Sequence, residues 1–147
     1  GGFDDDYFAY VEDVDLGFRL QLAGYKCIYL PDAVVHHVGS GSTQRRSDLS
    51  VYYGQRNLIW TFVKNVPSPL IYFLLPFHVL ANLFLLIISI FRKQGRIAFQ
   101  AKVEALKKLP DVVKKRKKVQ RGRGVSIVRV VRLMNWNPIS PILKVIR

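Results

Sequence analysis

Six carboxylates, Asp4, Asp5, Asp6, Glu12, Asp13 and Asp15, stand within the first fifteen residues of a chain whose formal net charge is +13. Carboxylates this close repel one another, so they persist where a cation, a proton transfer or a cationic partner uses them. Asp4-Asp5-Asp6 has the form of an Asp-x-Asp metal motif, although a loop of three acids is also satisfied by water alone. Further along, His36 and His37 are adjacent. Oxygen and imidazole ligands together suit a divalent ion such as Mn²⁺ or Mg²⁺. On a strand the two histidines would point to opposite faces, so at most one would enter a given site.

The elements that must position these groups are legible in outline. Residues 12–23 read as a helix: Val14, Phe18 and Leu22 recur at i, i+4 and i+8, with Leu16, Leu20 and Ala23 alongside. Glu12 and Asp13 fall in its first turn, where the helix dipole favours anions, which is also ordinary capping. Asp15 and Arg19 are four apart and can pair across one turn. Gly24 suits the C′ position. Residues 26–30 then read as a strand, Pro31-Asp32 as a turn and residues 33–38 as a second strand, followed by the polar loop 39–43. The fold class expected from this order is α/β.

At these residues the chain resembles a known family. Gly1-Gly2-Phe3-Asp4 through Tyr10, then Glu12-Asp13-Val14-Asp15-Leu16 with Arg19 and Gly24, is similar to the C-terminal part of family-2 inverting glycosyltransferases of the GT-A fold, rhamnosyltransferase-like branch. Tyr52-Tyr53-Gly54-Gln55-Arg56-Asn57 resembles the family's Tyr-Tyr-x-x-Arg-Asn segment. The resemblance implies Asp13 as the general base that deprotonates an acceptor hydroxyl, with Glu12 beside it. It implies a divalent metal held by His37, with Gly39 and Ser42 behind it, and His36 in reserve. Gly2, Asp4 and Arg56 would meet the acceptor or the diphosphate. The partners implied are a nucleotide-diphospho-sugar donor and a glycan or lipid-linked acceptor, in building cell-envelope polysaccharide. The nucleotide-binding strands and upstream Asp-x-Asp of that family have no counterpart here, so the chain reads as a fragment of a longer enzyme, inactive alone.

Residues 65–91 contain no Lys, Arg, Asp or Glu. A membrane span needs about 20 apolar residues, which this run supplies. Residues 92–147 hold 17 Lys/Arg against 2 Asp/Glu, whereas residues 1–91 hold 6 against 8. The positive-inside rule keeps such a tail cytoplasmic, and nucleotide-sugars are cytoplasmic too. A re-entrant or hairpin segment broken near Pro76, or an in-plane helix, satisfies both, and a single span stays open. The expected location is the cytoplasmic face of the cell membrane.

The tail reads as an amphipathic helix over 96–109, a basic run and a further short element over 126–134. Lys114, Lys115, Arg116, Lys117 and Lys118 would bind anionic headgroups, with Trp136 as an interfacial anchor. A nucleic-acid partner is disfavoured, because no stacking platform accompanies the basic run. The expected organisation is 1–66, the C-terminal part of a catalytic domain; 67–91, a membrane-embedded segment; and 92–147, a basic amphipathic tail. The rival reading is a noncatalytic basic membrane-binding module whose acidic head is only a capped helix. Cys27 stands alone and implies no disulfide.

Overall fold

A computed structural model describes residues 2–34, 36 and 47–136. After a short 3₁₀ turn at Asp5–Tyr7 come α1 (Glu12–Leu22), α2 (Asp48–Asn65), α3 (Leu70–Phe91), α4 (Gly95–Lys107), α5 (Leu109–Arg121) and α6 (Ile127–Leu133). Local chemistry sets several boundaries. Ser47 Oγ accepts the Ser50 amide at the start of α2, and Ser126 Oγ accepts that of Arg129 at the start of α6. Pro110 occupies the first turn of α5, where its missing N–H is not needed. Gly24 follows α1 at φ +96°, a left-handed position that glycine adopts without strain.

Helix α2 is the axis, with α1, α4 and α5 packed around it. One apolar cluster joins Tyr7, Trp60, Ala105 and Val112, and Trp60 Nε1 donates to the Ala105 carbonyl at 3.1 Å. A second joins Leu22, Val66, Leu70 and Val130, with Phe18 against it. Ala98, Ala101 and Ala105 are wholly buried and form the small-residue face by which α4 comes close to its neighbours.

The α/β expectation, a GT-A portion with strands at 26–30 and 33–38, is overturned: the described residues contain helices and no strand. Residues 25–30 have no regular structure, and Tyr25, Ile28, Tyr29 and Leu30 are exposed. A strand is a pairing, and the described residues offer this segment no neighbouring strand to complete its backbone hydrogen bonds. Residues 35, 37 and 38 of the second segment lie outside the described residues.

The expected break at Pro76 is also corrected, because α3 runs on through it. Pro76 is exposed, so its ring meets no packed helix. Its missing N–H removes one intrahelical bond from a helix whose other turns remain intact. The helices read over 12–23, 96–109 and 126–134 are present as α1, α4 and α6.

Candidate functional site

The structure sorts the six carboxylates by what they touch. Asp15 is fully buried and serves as a node. Arg19 Nε and Lys64 Nζ each approach it at 2.8 Å, Asn65 Nδ2 donates at 2.8 Å, and the Tyr7 hydroxyl donates at 3.2 Å. Thr61 Oγ1 lies 2.9 Å from the same hydroxyl. Burial pushes the Tyr7 phenol well up from its ordinary value, so it stays protonated and acts as a donor to Asp15.

Asp4 caps the 3₁₀ turn and pairs with both Lys64 and Lys115, and Lys115 reaches Asp6 as well. Burial pushes the Asp4 carboxyl up, but hydrogen bonds and charge from Lys115 and Lys64 outweigh that and hold it at about 2. A carboxyl held below its ordinary value of 3.8 stabilises the fold fully above pH about 4 and loses that stabilisation as pH falls toward 2. Asp4→Asn should therefore lower neutral-pH stability by about 1–2 kcal/mol and flatten the acid limb of the stability curve. Chemical denaturation across pH 2–7 checks this; an acid limb parallel to that of the parent chain would contradict it.

Asp13 is different. It is exposed at the start of α1, and its Oδ1 accepts the Val14 amide at 2.8 Å. Glu12 is half-buried beside it, with Oε2 enclosed and without a hydrogen-bond partner.

The loop leading to this pair is strained. Phe8, Tyr10 and Val11 have φ of 62°, 64° and 67°, a left-handed region that bulky side chains rarely occupy. Such residues persist only where their surroundings over-determine them. Here the surroundings are Arg56 and Asn57. The Asn57 amide donates to the carbonyls of Tyr7, Ala9 and Tyr10 at 2.8–2.9 Å, sharing two N–H groups among three acceptors. Arg56 donates to the Asp6 and Tyr7 carbonyls at 2.8 and 3.2 Å and to Asn57 Oδ1 at 2.9 Å. Its guanidinium lies over the Trp60 and Tyr53 rings, 4.1 and 4.7 Å from their centroids. The Arg-Asn pair thus holds the loop that presents Glu12 and Asp13.

Other expected residues are placed as follows. Gly2 and Asp4 line a cavity of about 380 Å³ together with Arg19, Lys64 and Lys118. Arg56 is buried and lines a separate cavity of about 510 Å³ with Lys108 and Lys114. Lys115 lines both. His36 is exposed, and His37 lies outside the described residues. No group of three His, Cys, Asp or Glu side chains converges to hold a metal among the described residues. Of the five tail cations, Lys115 turns inward to Asp4 and Asp6. Arg116 donates to the Val63 and Val66 carbonyls at the end of α2, and Lys114 pairs with Asp111. Lys117 and Lys118 are exposed.

The functional side chains that the sequence reading passed over are Tyr7, Asn57, Thr61, Lys64 and Asn65. Their signal is the spacing 57, 61, 64, 65, a polar stripe along one face of α2 that turns toward α1 and the loop.

Comparison with known proteins bears on this site. A 45-residue stretch, 31% of the chain, is 56% identical to N-acetylglucosaminyl-diphospho-decaprenol L-rhamnosyltransferase from two strains of Mycobacterium tuberculosis. That stretch is glycosyltransferase-like. The chain matches 15% of the relative's length, so the similarity supports glycosyl transfer at the coarse level. No family model matches the chain. No solved structure matches it.

Proposed function

We propose that the chain supplies the acceptor-side part of an inverting glycosyltransferase in which Asp13 is the general base. The observation that carries this reading is the sorting of the carboxylates. Asp4, Asp6 and Asp15 are consumed in ion pairs, while Asp13 is exposed at the end of a strained loop held by Arg56 and Asn57. A base must be reachable by its substrate, and a structural carboxylate need not be.

In the reaction, a carboxylate oxygen of Asp13 takes the proton of the acceptor hydroxyl as that hydroxyl's oxygen bonds to the anomeric carbon. The bond from that carbon to the nucleoside diphosphate breaks, and the diphosphate leaves with the electron pair. One displacement inverts the centre. A sugar hydroxyl is a weak nucleophile near neutral pH, and a positioned base contributes about 10²–10⁴-fold. The acceptor we assign is a glycan on a lipid diphosphate, as named for the relative, in cell-envelope polysaccharide synthesis. The cationic cavity lined by Gly2, Asp4, Arg19 and Lys118 suits its diphosphate. Arg56 is proposed to act by holding the loop. A Mn²⁺ or Mg²⁺ ion with His37 or His36 as ligand belongs to the same reading, but the described residues assemble no site for it, so no step is routed through the metal.

The full-length enzyme, given a panel of nucleotide-sugars and a lipid-diphosphate glycan, should form a product whose anomeric configuration is opposite to the donor's. Proton NMR of the product checks it. A retained configuration would overturn the inverting mechanism, and absence of transfer from every donor would overturn the enzyme reading.

A further inference from the structure

Helix α3 wears its polarity inside out. Its polar side chains, His78, Asn82 and Ser89, all turn toward the protein. His78 stacks on Phe62 at 3.9 Å, Asn82 accepts from Lys102, and Ser89 accepts from Gln55 at 2.8 Å. The residues facing away are apolar: Phe73, Phe77, Leu80, Leu83, Ile87 and Ile90 are each at least half exposed. A helix on a water-facing surface shows the opposite pattern. Helix α3 has a mean hydropathy of 2.3, and only 6% of its most apolar stretch is buried within the fold.

The neighbours of α3 decide its orientation. Contacts between Gln94 and Asp48, Ser89 and Gln55, and His78 and Phe62 run α2 antiparallel along most of its length. The Asn82–Lys102 contact folds α4 back along it as well. At 22 residues α3 is about 33 Å long, enough to cross a bilayer. A bilayer crossed by α3 would, however, also enclose α2 and α4, with Asp48, Arg96, Lys102 and Glu104. Charged side chains cost about 2.5–3.5 kcal/mol each at mid-bilayer. Lying flat avoids that cost and still covers the apolar face.

We infer that α3 lies in the plane of an anionic lipid leaflet, its outward face in the acyl boundary and its polar seam docked on α2 and α4. The lipid is chosen over a protein partner by charge. Arg92, Lys93 and Arg96 are exposed at the C-terminal end of the apolar face, and residues 92–147 carry 17 cations against 2 anions. Such cations gain about 1 kcal/mol each near an anionic surface. Amphipathic helices of this kind sit about 5–10 Å into the headgroup and acyl boundary.

The 147-residue chain tests this with Cys27→Ser and single probe sites Phe73→Cys, Leu80→Cys and Ile87→Cys, seven residues apart on the outward face. Bound to vesicles of phosphatidylcholine and phosphatidylglycerol and quenched by lipids carrying quenchers at known depths, the three labels should report one shared shallow depth. The double variant Leu80→Glu, Leu83→Glu should bind the vesicles at least about a hundredfold less well, with helicity in solution unchanged by circular dichroism. A profile deepest at Leu80→Cys and shallow at the other two sites would mean that α3 spans and would overturn the flat arrangement. Failure to float with vesicles, together with a dimer in sedimentation, would show that a second copy covers the face instead.

Discussion

Asp13→Asn in the full-length enzyme should reduce sugar transfer by about a thousandfold while nucleotide-sugar affinity, measured by calorimetry, stays within a factor of about two. The substitution is nearly isosteric, and the amide oxygen can still accept from the Val14 N–H, so α1 keeps its start. What it loses is the capacity to take a proton. The change therefore falls on the step in which the acceptor hydroxyl is activated and leaves donor binding alone. Undiminished turnover would remove Asp13 from the role. The next candidate would then be Glu12, whose Oε2 is enclosed without a partner a single residue away.

The reason to expect so large an effect from an exposed residue lies in the loop. Left-handed φ values at Phe8, Tyr10 and Val11 cost of order 1–3 kcal/mol each, and packing alone gives no reason to hold them. Arg56 and Asn57, both buried, spend their donors on the carbonyls of that loop instead of on water or on a ligand. A loop held this firmly fixes where the first turn of α1 begins, and with it where the Asp13 carboxylate stands. Precise placement is what a general base requires.

What could be read from the sequence was local. The start of α1, the Asp15–Arg19 pair and the Gly24 terminus each depend on residues within one or two turns of one another, and all three are present. The strands failed because apolar runs such as residues 26–30 do not carry their partner with them; pairing is decided by what lies alongside. Pro76 looked like a break because the cost of a proline in a helix is local, while the turns that carry α3 across it extend well beyond it. Arg56 looked like a phosphate ligand from its chemistry alone. Only the packing of α2 against residues 6–10 reveals that its donors are already engaged. The Tyr52–Asn57 segment was identified as functional before its physical task, holding a strained loop, was visible.

Asp15 illustrates the same limit with the largest stability effect in the molecule. Sequence spacing gives it one partner, Arg19, and an exposed helical pair of that kind is worth about 0.3–0.5 kcal/mol. In the fold it is wholly buried and also holds Lys64, which is itself only 2% exposed, along with Asn65 and the Tyr7 hydroxyl. Asp15→Asn leaves the Lys64 ammonium buried with Asp4 as its remaining carboxylate and removes the charge that Arg19 meets. Breaking a buried pair from one side typically costs about 3–5 kcal/mol, because the surviving charge has lost its compensation. Chemical denaturation of the 147-residue chain should show a loss of that size. The double variant Asp15→Asn, Lys64→Met should recover much of it, since it removes the stranded ammonium too. A loss below about 1 kcal/mol would mean that Asp4 alone compensates Lys64, making Asp15 no more than the surface pair its spacing suggests.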